Sequence, residues 1–141
     1  MTAFWDSSAL VPLCIPGQAT TRERQLLHER KPVVWWGTAI EVFGAVVRLG
    51  RQGYLSPNQQ RLATERLARL RIAWREVQPT ERLRELAEQQ IEKYELRTGD
   101  ALQLAAALVW CSQRPRQRGF LCRDHRLKVV ASAAGFEVVE L

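Results

Sequence analysis

The sequence predicts an α/β fold in which helices cover both faces of a central parallel sheet. Short segments of β-branched and aromatic residues alternate with longer segments whose apolar residues recur at helical spacing. Parallel strands need long crossover connections and helices supply them, so this alternation indicates a parallel sheet. The chain has 141 residues, 46% of them hydrophobic, which is enough for a single domain over residues 1–141 with a substantial core.

The predicted strands are short apolar segments bounded by residues that favour turns or helix starts. Val33 and Val34 illustrate the pattern, because they follow Pro32 and their branched side chains fit a buried, pleated surface. The predicted strands cover residues 2–5, 33–36, 74–77, 119–122 and 136–139.

The predicted helices begin and end at recognisable residues. Ser56 is a suitable cap, and Pro57 after it suits the first helical position. Gly17 follows the first helix and Gly135 the last, and glycine is typical of helix ends. The third and sixth helices are apolar on most of their surface, so both are expected to be central. The predicted helices cover residues 9–14, 20–30, 38–51, 57–72, 81–93, 98–111 and 124–134.

Charge and composition narrow the classes of function. The net charge of +6 and the pI near 9.9 favour a polyanionic partner, either nucleic acid or an acidic protein segment. There is no glycine-rich phosphate loop, so no nucleotide cofactor is expected. Without an apolar run long enough to span a bilayer or a signal segment, a cytoplasmic protein is expected. The cysteines Cys14, Cys111 and Cys122 lie in apolar segments and are expected to be buried free thiols in a reducing compartment.

Four acidic residues lie at predicted helix starts, and three of them come shortly after predicted strands. Because the carboxyl ends of parallel strands share one edge of the sheet, these side chains are expected to converge. Converging carboxylates repel each other unless a divalent cation lies among them, and that arrangement serves metal-dependent phosphodiester chemistry. The sequence therefore predicts an acidic, cation-binding cleft formed by Asp6, Glu41, Asp100 and Asp124.

Each carboxylate also has an explanation that involves no site. The aspartates that directly follow strands could simply cap helices. Glu41 lies three residues after Thr38, the spacing of a capping box in which the Thr38 side chain accepts from the Glu41 N–H. Asp100 lies in an otherwise apolar helix, where a carboxylate needs a cation or donors, and Arg97 could provide an ion pair. The joint pattern favours one shared site over four separate caps.

The same segments resemble the PIN-domain nucleases, and within them the VapC-type toxin ribonucleases of toxin–antitoxin pairs. FWDSSALV is similar to the opening strand of the family with its first aspartate, and GTAIEVFGAVVRL resembles its Ser/Thr-x-x-Glu helix. LRTGDALQLAAAL is close to the family motif Leu-Arg-x-x-Asp-Ala-Leu-His-Leu-Ala, with Gln103 where His is common. LCRDHRLKVVASAAGFEVV is similar to the closing strand and its Asp-x-x-Leu helix. The resemblance runs from end to end in order, although the Trp-Trp-Gly segment before Thr38 is bulkier than usual.

The resemblance implies a PIN-like three-layer sandwich and a Mg²⁺-dependent endoribonuclease, with Mn²⁺ also suitable. Its catalytic and metal-binding residues would be Asp6, Glu41, Asp100 and Asp124. Asp6 and Asp100 are expected to touch the metal most directly, and the other two through water. Ser7 and Thr38 would position that water or a phosphate oxygen. The implied partners are an RNA substrate, a VapB-like antitoxin and a second copy of the chain in a homodimer, with no membrane.

Other protein classes share some of these features. A response-regulator receiver domain also gathers acids at a sheet edge, but Ser7 and Ser8 stand where it needs a second acid, and Lys128 lies within a predicted helix. A non-catalytic RNA-binding PIN module and a stand-alone PIN nuclease without an antitoxin remain alternatives.

Two basic clusters have no assigned role. The arginines of the fourth helix could bind RNA phosphates or an acidic partner, or simply be solvated. The second cluster lies between a helix and a strand, so it is expected at the sheet edge opposite the acids, where cations complement a helix C-terminus. The clusters comprise Arg61, Arg66, Arg69 and Arg71 in the helix, and Arg114, Arg116 and Arg118 before the strand.

Overall fold

In a computed structural model that describes residues 1–141, strands and helices alternate along most of the chain. The strands are β1 (Thr2–Trp5), β2 (Lys31–Trp35), β3 (Arg75–Val77), β4 (Gly119–Leu121) and β5 (Glu137–Val138). The helices are α1 (Ser7–Cys14), α2 (Thr21–Glu29), α3 (Thr38–Arg51), α4 (Pro57–Ala73), α5 (Glu81–Tyr94), α6 (Thr98–Trp110) and α7 (His125–Ala133). No helix combines the length and the apolar character that crossing a membrane requires.

The strands form one parallel sheet in the order β3-β2-β1-β4-β5. Strand β1 is central, and its Phe4 pairs with Val33 of β2 on one side and with Phe120 of β4 on the other. The chain passes to one side of β1 to form β2 and to the other side to form β4. In open parallel sheets this reversal of strand order is where ligands bind, at the carboxyl ends of the strands.

Two hydrophobic cores lie on the two faces of the sheet. Successive side chains of a strand point to opposite faces, so Phe4 enters one core while Ala3 and Trp5 enter the other. Helices α5, α6 and α7 cover the Phe4 face, and α1 to α4 cover the opposite face. This three-layer arrangement confirms the predicted α/β fold with a central parallel sheet flanked by helices.

The predicted elements agree with the structure to within a few residues at their ends. Strand β2 begins two residues before the predicted start, because the Lys31 N–H donates to the carbonyl of Met1 and extends the pairing with β1. The capping signals explain where helices start. Ser56 and Gln59 form a capping box at the start of α4, with Pro57 at the first helical position.

Helix α6 is central, as predicted, but α3 is only half buried. Val42 and Val46 of α3 lie in the core, whereas Ile40 is 63% exposed and Phe43 is 48% exposed. The prediction that α3 is enclosed on most of its surface is therefore wrong, since only one face of it packs on α1 and α4. The apolar composition of α3 did not reveal that its outer face lacks a covering element.

The three cysteines are buried and free, as predicted. Burial raises the pKa of Cys14 to about 11 and that of Cys122 to about 12, so both thiols stay protonated at neutral pH. The segment with Arg114 and Arg118 leads into the start of β4, which places it at the sheet edge opposite the carboxyl ends of the strands.

Candidate active site

Asp6 and Asp124 lie at the carboxyl ends of the neighbouring strands β1 and β4, and each caps the helix that follows. Asp6 Oδ2 accepts from the Ser8 N–H at 3.0 Å, and Asp124 Oδ1 accepts from the Leu127 N–H at 2.8 Å. The expectation that these aspartates cap helices is therefore right. It does not exclude a site, because each carboxylate retains a second oxygen.

Glu41 enters the same region from the first turn of α3. The predicted capping box with Thr38 is wrong, because Gly37 is the cap residue and the Glu41 N–H donates to the Gly37 carbonyl at 3.1 Å. Thr38 already has helical geometry and is fully buried, and its hydroxyl accepts from Gln103 Nε2 at 3.2 Å. The Glu41 carboxylate instead accepts from Gln103 Nε2 at 2.8 Å and from Ser7 Oγ at 3.3 Å.

Asp100 lies in the first turn of α6 and faces the other acids. It forms no salt bridge with Arg97, so that alternative explanation of Asp100 is wrong. The start of α6 approaches α3 at Glu41, since a Cβ atom added at Gly99 would lie 3.9 Å from Glu41 Oε2. This contact brings the first turn of α6 to the same end of the sheet as Glu41.

The carboxylates act on one another electrostatically. Burial is the main cause that raises the pKa of Asp6, of Glu41 and of Asp100. The charge of Asp100 raises the pKa of Asp6 further, the charges of Asp6 and Asp100 raise that of Glu41, and the charge of Asp124 raises that of Asp100. The four acidic residues that the sequence singled out thus lie at one edge of the sheet, where Asp6, Glu41 and Asp100 act on one another and Asp124 acts on Asp100.

Hydrogen bonds from two serines hold the acids in place. Ser8 Oγ makes a short hydrogen bond to Asp6 Oδ2 and accepts from the backbone N–H of Arg123 at 2.9 Å. The Arg123 side chain forms a salt bridge with Glu23 of α2, which is only 2% exposed. The loop between β4 and α7 is thereby tied to the Asp6 carboxylate through Ser8.

The donor set suits a hard divalent cation. All the converging groups are carboxylate oxygens, which Mg²⁺ and Mn²⁺ prefer. No three acidic, histidine or cysteine side chains form a group that could hold an ion by themselves. Mg²⁺ commonly binds through one or two carboxylates and keeps several waters, so the arrangement fits an ion with a largely hydrated shell.

An opening beside the acids could admit an anionic group. A cavity of about 550 Å³ is lined by Ser7, Ser8, Ile40, Glu41 and Arg48, among others. It joins the carboxylate edge to the exposed outer face of α3. The site therefore offers a carboxylate, two hydroxyl groups and a guanidinium group around one concave surface.

The chain is similar to proteins of solved structure, but it matches no family model and no curated protein. A toxin–antitoxin complex from Klebsiella pneumoniae contains a chain with 18% identity and a TM-score of 0.56, with 87% of each chain covered. The crystal structure of PAE2754 from Pyrobaculum aerophilum has 16% identity and a TM-score of 0.70, covering 99% of this chain and 90% of the other. At these identities the similarity shows a shared fold.

Sequence reasoning missed four residues that support the acids. The family resemblance assigns no role to Gln103, although a polar residue in an otherwise apolar helix is a detectable signal. Ser8, two residues after Asp6, has the spacing of a local side-chain hydrogen bond. No local sequence pattern indicates the Arg123–Glu23 salt bridge, because its partners are 100 residues apart.

Proposed function

We propose that this protein is a Mg²⁺-dependent endoribonuclease that hydrolyses RNA phosphodiester bonds, with Mn²⁺ as an alternative ion. The observation that carries the proposal is that four carboxylates lie at the switch point of a parallel sheet and act on one another electrostatically. Carboxylates that raise one another's pKa repel one another when ionised. A cation bound among them would relieve this repulsion.

The four acids would have two different roles. Asp6 and Asp100 are the residues that would hold the ion most directly, and Glu41 and Asp124 would act through water. When bound, the ion supplies a water of lowered pKa and neutralises charge that develops on the phosphate. Because both hydrogen bonds from Ser8 go to Asp6 Oδ2, the other oxygen of Asp6 is available to a ligand.

The residues around the acids suit a phosphate substrate. Arg48 lines the cavity beside Glu41, and the charges of Arg126 and Arg97 act on Asp100 strongly enough to oppose the rise of its pKa. Guanidinium groups bind phosphate oxygens well, and the net charge of +6 draws a polyanion to the surface. RNA backbone phosphates are thus the substrate groups that this site would recognise.

The proposed biological role is that of the toxin in a toxin–antitoxin pair, acting in the cytoplasm. The shared fold with a chain of the Klebsiella pneumoniae toxin–antitoxin complex supports this role. The exposed apolar groove formed by Trp36, Ile40 and Phe43 beside Glu41 suits a protein partner, since patches of this kind mark interaction sites. We propose a VapB-like antitoxin and a homodimer as the assemblies to seek.

Cleavage of a pool of structured cellular RNAs tests the proposal. The purified protein is assayed with Mg²⁺, with Mn²⁺ and with chelator, beside Asp100→Asn and the matched control Glu85→Gln, an exposed acid on α5. We expect cleavage that chelator and Asp100→Asn abolish and that Glu85→Gln retains. RNA binding without cleavage under any ion would contradict the nuclease and favour a non-catalytic RNA-binding module.

A further inference from the structure

Gln103 is the one polar side chain that helix α6 buries. It is 0% exposed, and the other buried residues of α6 are alanine and leucine. Its Nε2 donates to Glu41 Oε1 at 2.8 Å and to Thr38 Oγ1 at 3.2 Å. Its Oε1 has no hydrogen-bond partner.

Stability alone does not account for this side chain. A buried oxygen without a partner is unfavourable, and an apolar side chain of similar length would fill the space without that cost. The ionised Glu41 carboxylate can only accept, so the amide turns its NH₂ group towards it, and its own oxygen is left without a partner. The orientation that satisfies Glu41 is therefore the one that leaves Oε1 unpaired.

The placement of Gln103 connects two of the acids. Gln103 lies three residues after Asp100, so the two side chains share one face of α6. Its amide reaches across to Thr38 and Glu41, which lie one turn apart on α3. The bond to Glu41 is shorter than that from Ser7, and Ser7 is partly exposed while Gln103 is not.

We propose that Gln103 is a positioning residue that fixes Glu41 relative to Asp100, so that the acid cluster is arranged to bind its divalent cation. This inference rests on the metal site of the proposed function. Hydrogen bonds that orient carboxylates near a metal typically change metal affinity about 10- to 100-fold when they are removed.

Mn²⁺ binding to the protein alone, measured by titration calorimetry, tests this role together with thermal unfolding of the metal-free protein. Gln103→Met removes the donor and keeps the length, and Leu104→Met is the matched control on the same helix. We expect Gln103→Met to bind Mn²⁺ about 10-fold more weakly, and Gln103→His, which restores an N–H donor, to recover to within about 3-fold of wild type. The melting temperature of Gln103→Met should stay within about 3 °C of wild type. Removing the unpaired Oε1 offsets the hydrogen bonds that Glu41 and Thr38 lose, and Glu41 is partly exposed to water.

A double-mutant cycle shows whether Gln103 acts through Glu41. In a Glu41→Ala background, Gln103→Met should weaken Mn²⁺ binding no further, whereas independent effects would add. The proposal is overturned if Gln103→Met binds like wild type, if Leu104→Met weakens binding as much, or if the effects add. Should Gln103→Met fail to fold, the melting prediction has already failed and overturns the proposal. If the wild-type protein binds no Mn²⁺, the metal site of the proposed function is wrong, and the positioning role of Gln103 is wrong as well.

Discussion

Replacing Asp6 by asparagine should stabilise the metal-free protein while it destroys the site. The Asp6 side chain is 4% exposed, and burial together with the charge of Asp100 raises its pKa. Asparagine is isosteric, remains a good helix cap and can accept the same two hydrogen bonds from Ser8. The change therefore removes a buried charge and its repulsions without removing the cap.

The size of the effect follows from opposing electrostatic terms. At an effective dielectric constant of about 20, two like charges repel by about 4 kcal/mol at about 4 Å and by about 2 kcal/mol at twice that distance. Against this, a carboxylate at a helix N-terminus is stabilised by about 0.3–1 kcal/mol. The repulsion is larger, so Asp6→Asn should gain about 1–2 kcal/mol, or about 2–8 °C in melting temperature for a chain of this size.

The assay is thermal unfolding by circular dichroism at pH 7.5, with chelator and with Mn²⁺. In chelator, Asp6→Asn should melt above wild type, while the matched control Glu85→Gln melts with wild type. In Mn²⁺ the order should reverse, because an ion at about 100 times its Kd stabilises the wild-type fold by about 2.7 kcal/mol. A clear fall in the melting temperature of Asp6→Asn in chelator would refute the reasoning, since the Asp6 charge would then stabilise the fold.

Three further outcomes are expected. In chelator the wild-type melting temperature should fall as the pH rises above about 4, the ordinary pKa of a carboxyl group. The reason is that a carboxyl whose folded pKa is raised, as in Asp6, Glu41 and Asp100, contributes stability that is lost as the pH rises through that pKa. A melting temperature that rises steadily as the pH increases would count against the cluster. Arg48→Ala in an Asp100→Asn background should weaken RNA binding about 3- to 10-fold at low salt and reduce its salt dependence, measured by fluorescence anisotropy, whereas unchanged binding would exclude Arg48 from the RNA surface. Phe120→Ala should cost about 3–5 kcal/mol in urea unfolding, because Phe120 is fully buried between Phe4 and Phe136, and a loss below about 1 kcal/mol would contradict that packing.

The fold was predictable because local patterns and burial agree throughout the chain. Strand β1 is apolar on both faces, as a central strand of a sandwich must be, and α6 is apolar all round, as a buried helix must be. The exposed face of α3 could not be predicted from the sequence. An apolar helical pattern does not show whether a given face of the helix contacts the core, another chain or solvent.

The sequence predicts the part of the site whose residues follow directly from the ends of strands. Asp6, Glu41 and Asp124 follow neighbouring parallel strands, so topology alone brings them to one edge. Asp100 follows a helix, and its position depends on how α6 packs against α5 and the sheet. The supporting contacts depend on tertiary packing in the same way, since Gln103 and Glu41 are 62 residues apart and Ser8 and Arg123 are 115 apart.

The central claim is that the four carboxylates form one metal site, and a crystal grown with Mn²⁺ tests it most directly. Anomalous scattering at the manganese edge locates the ion without reference to activity. We predict a peak at the carboxyl ends of β1 and β4, with Asp6 and Asp100 oxygens about 2.1 Å from the ion and Glu41 and Asp124 reached through water. A peak elsewhere on the protein, or none at saturating Mn²⁺, would contradict the claim.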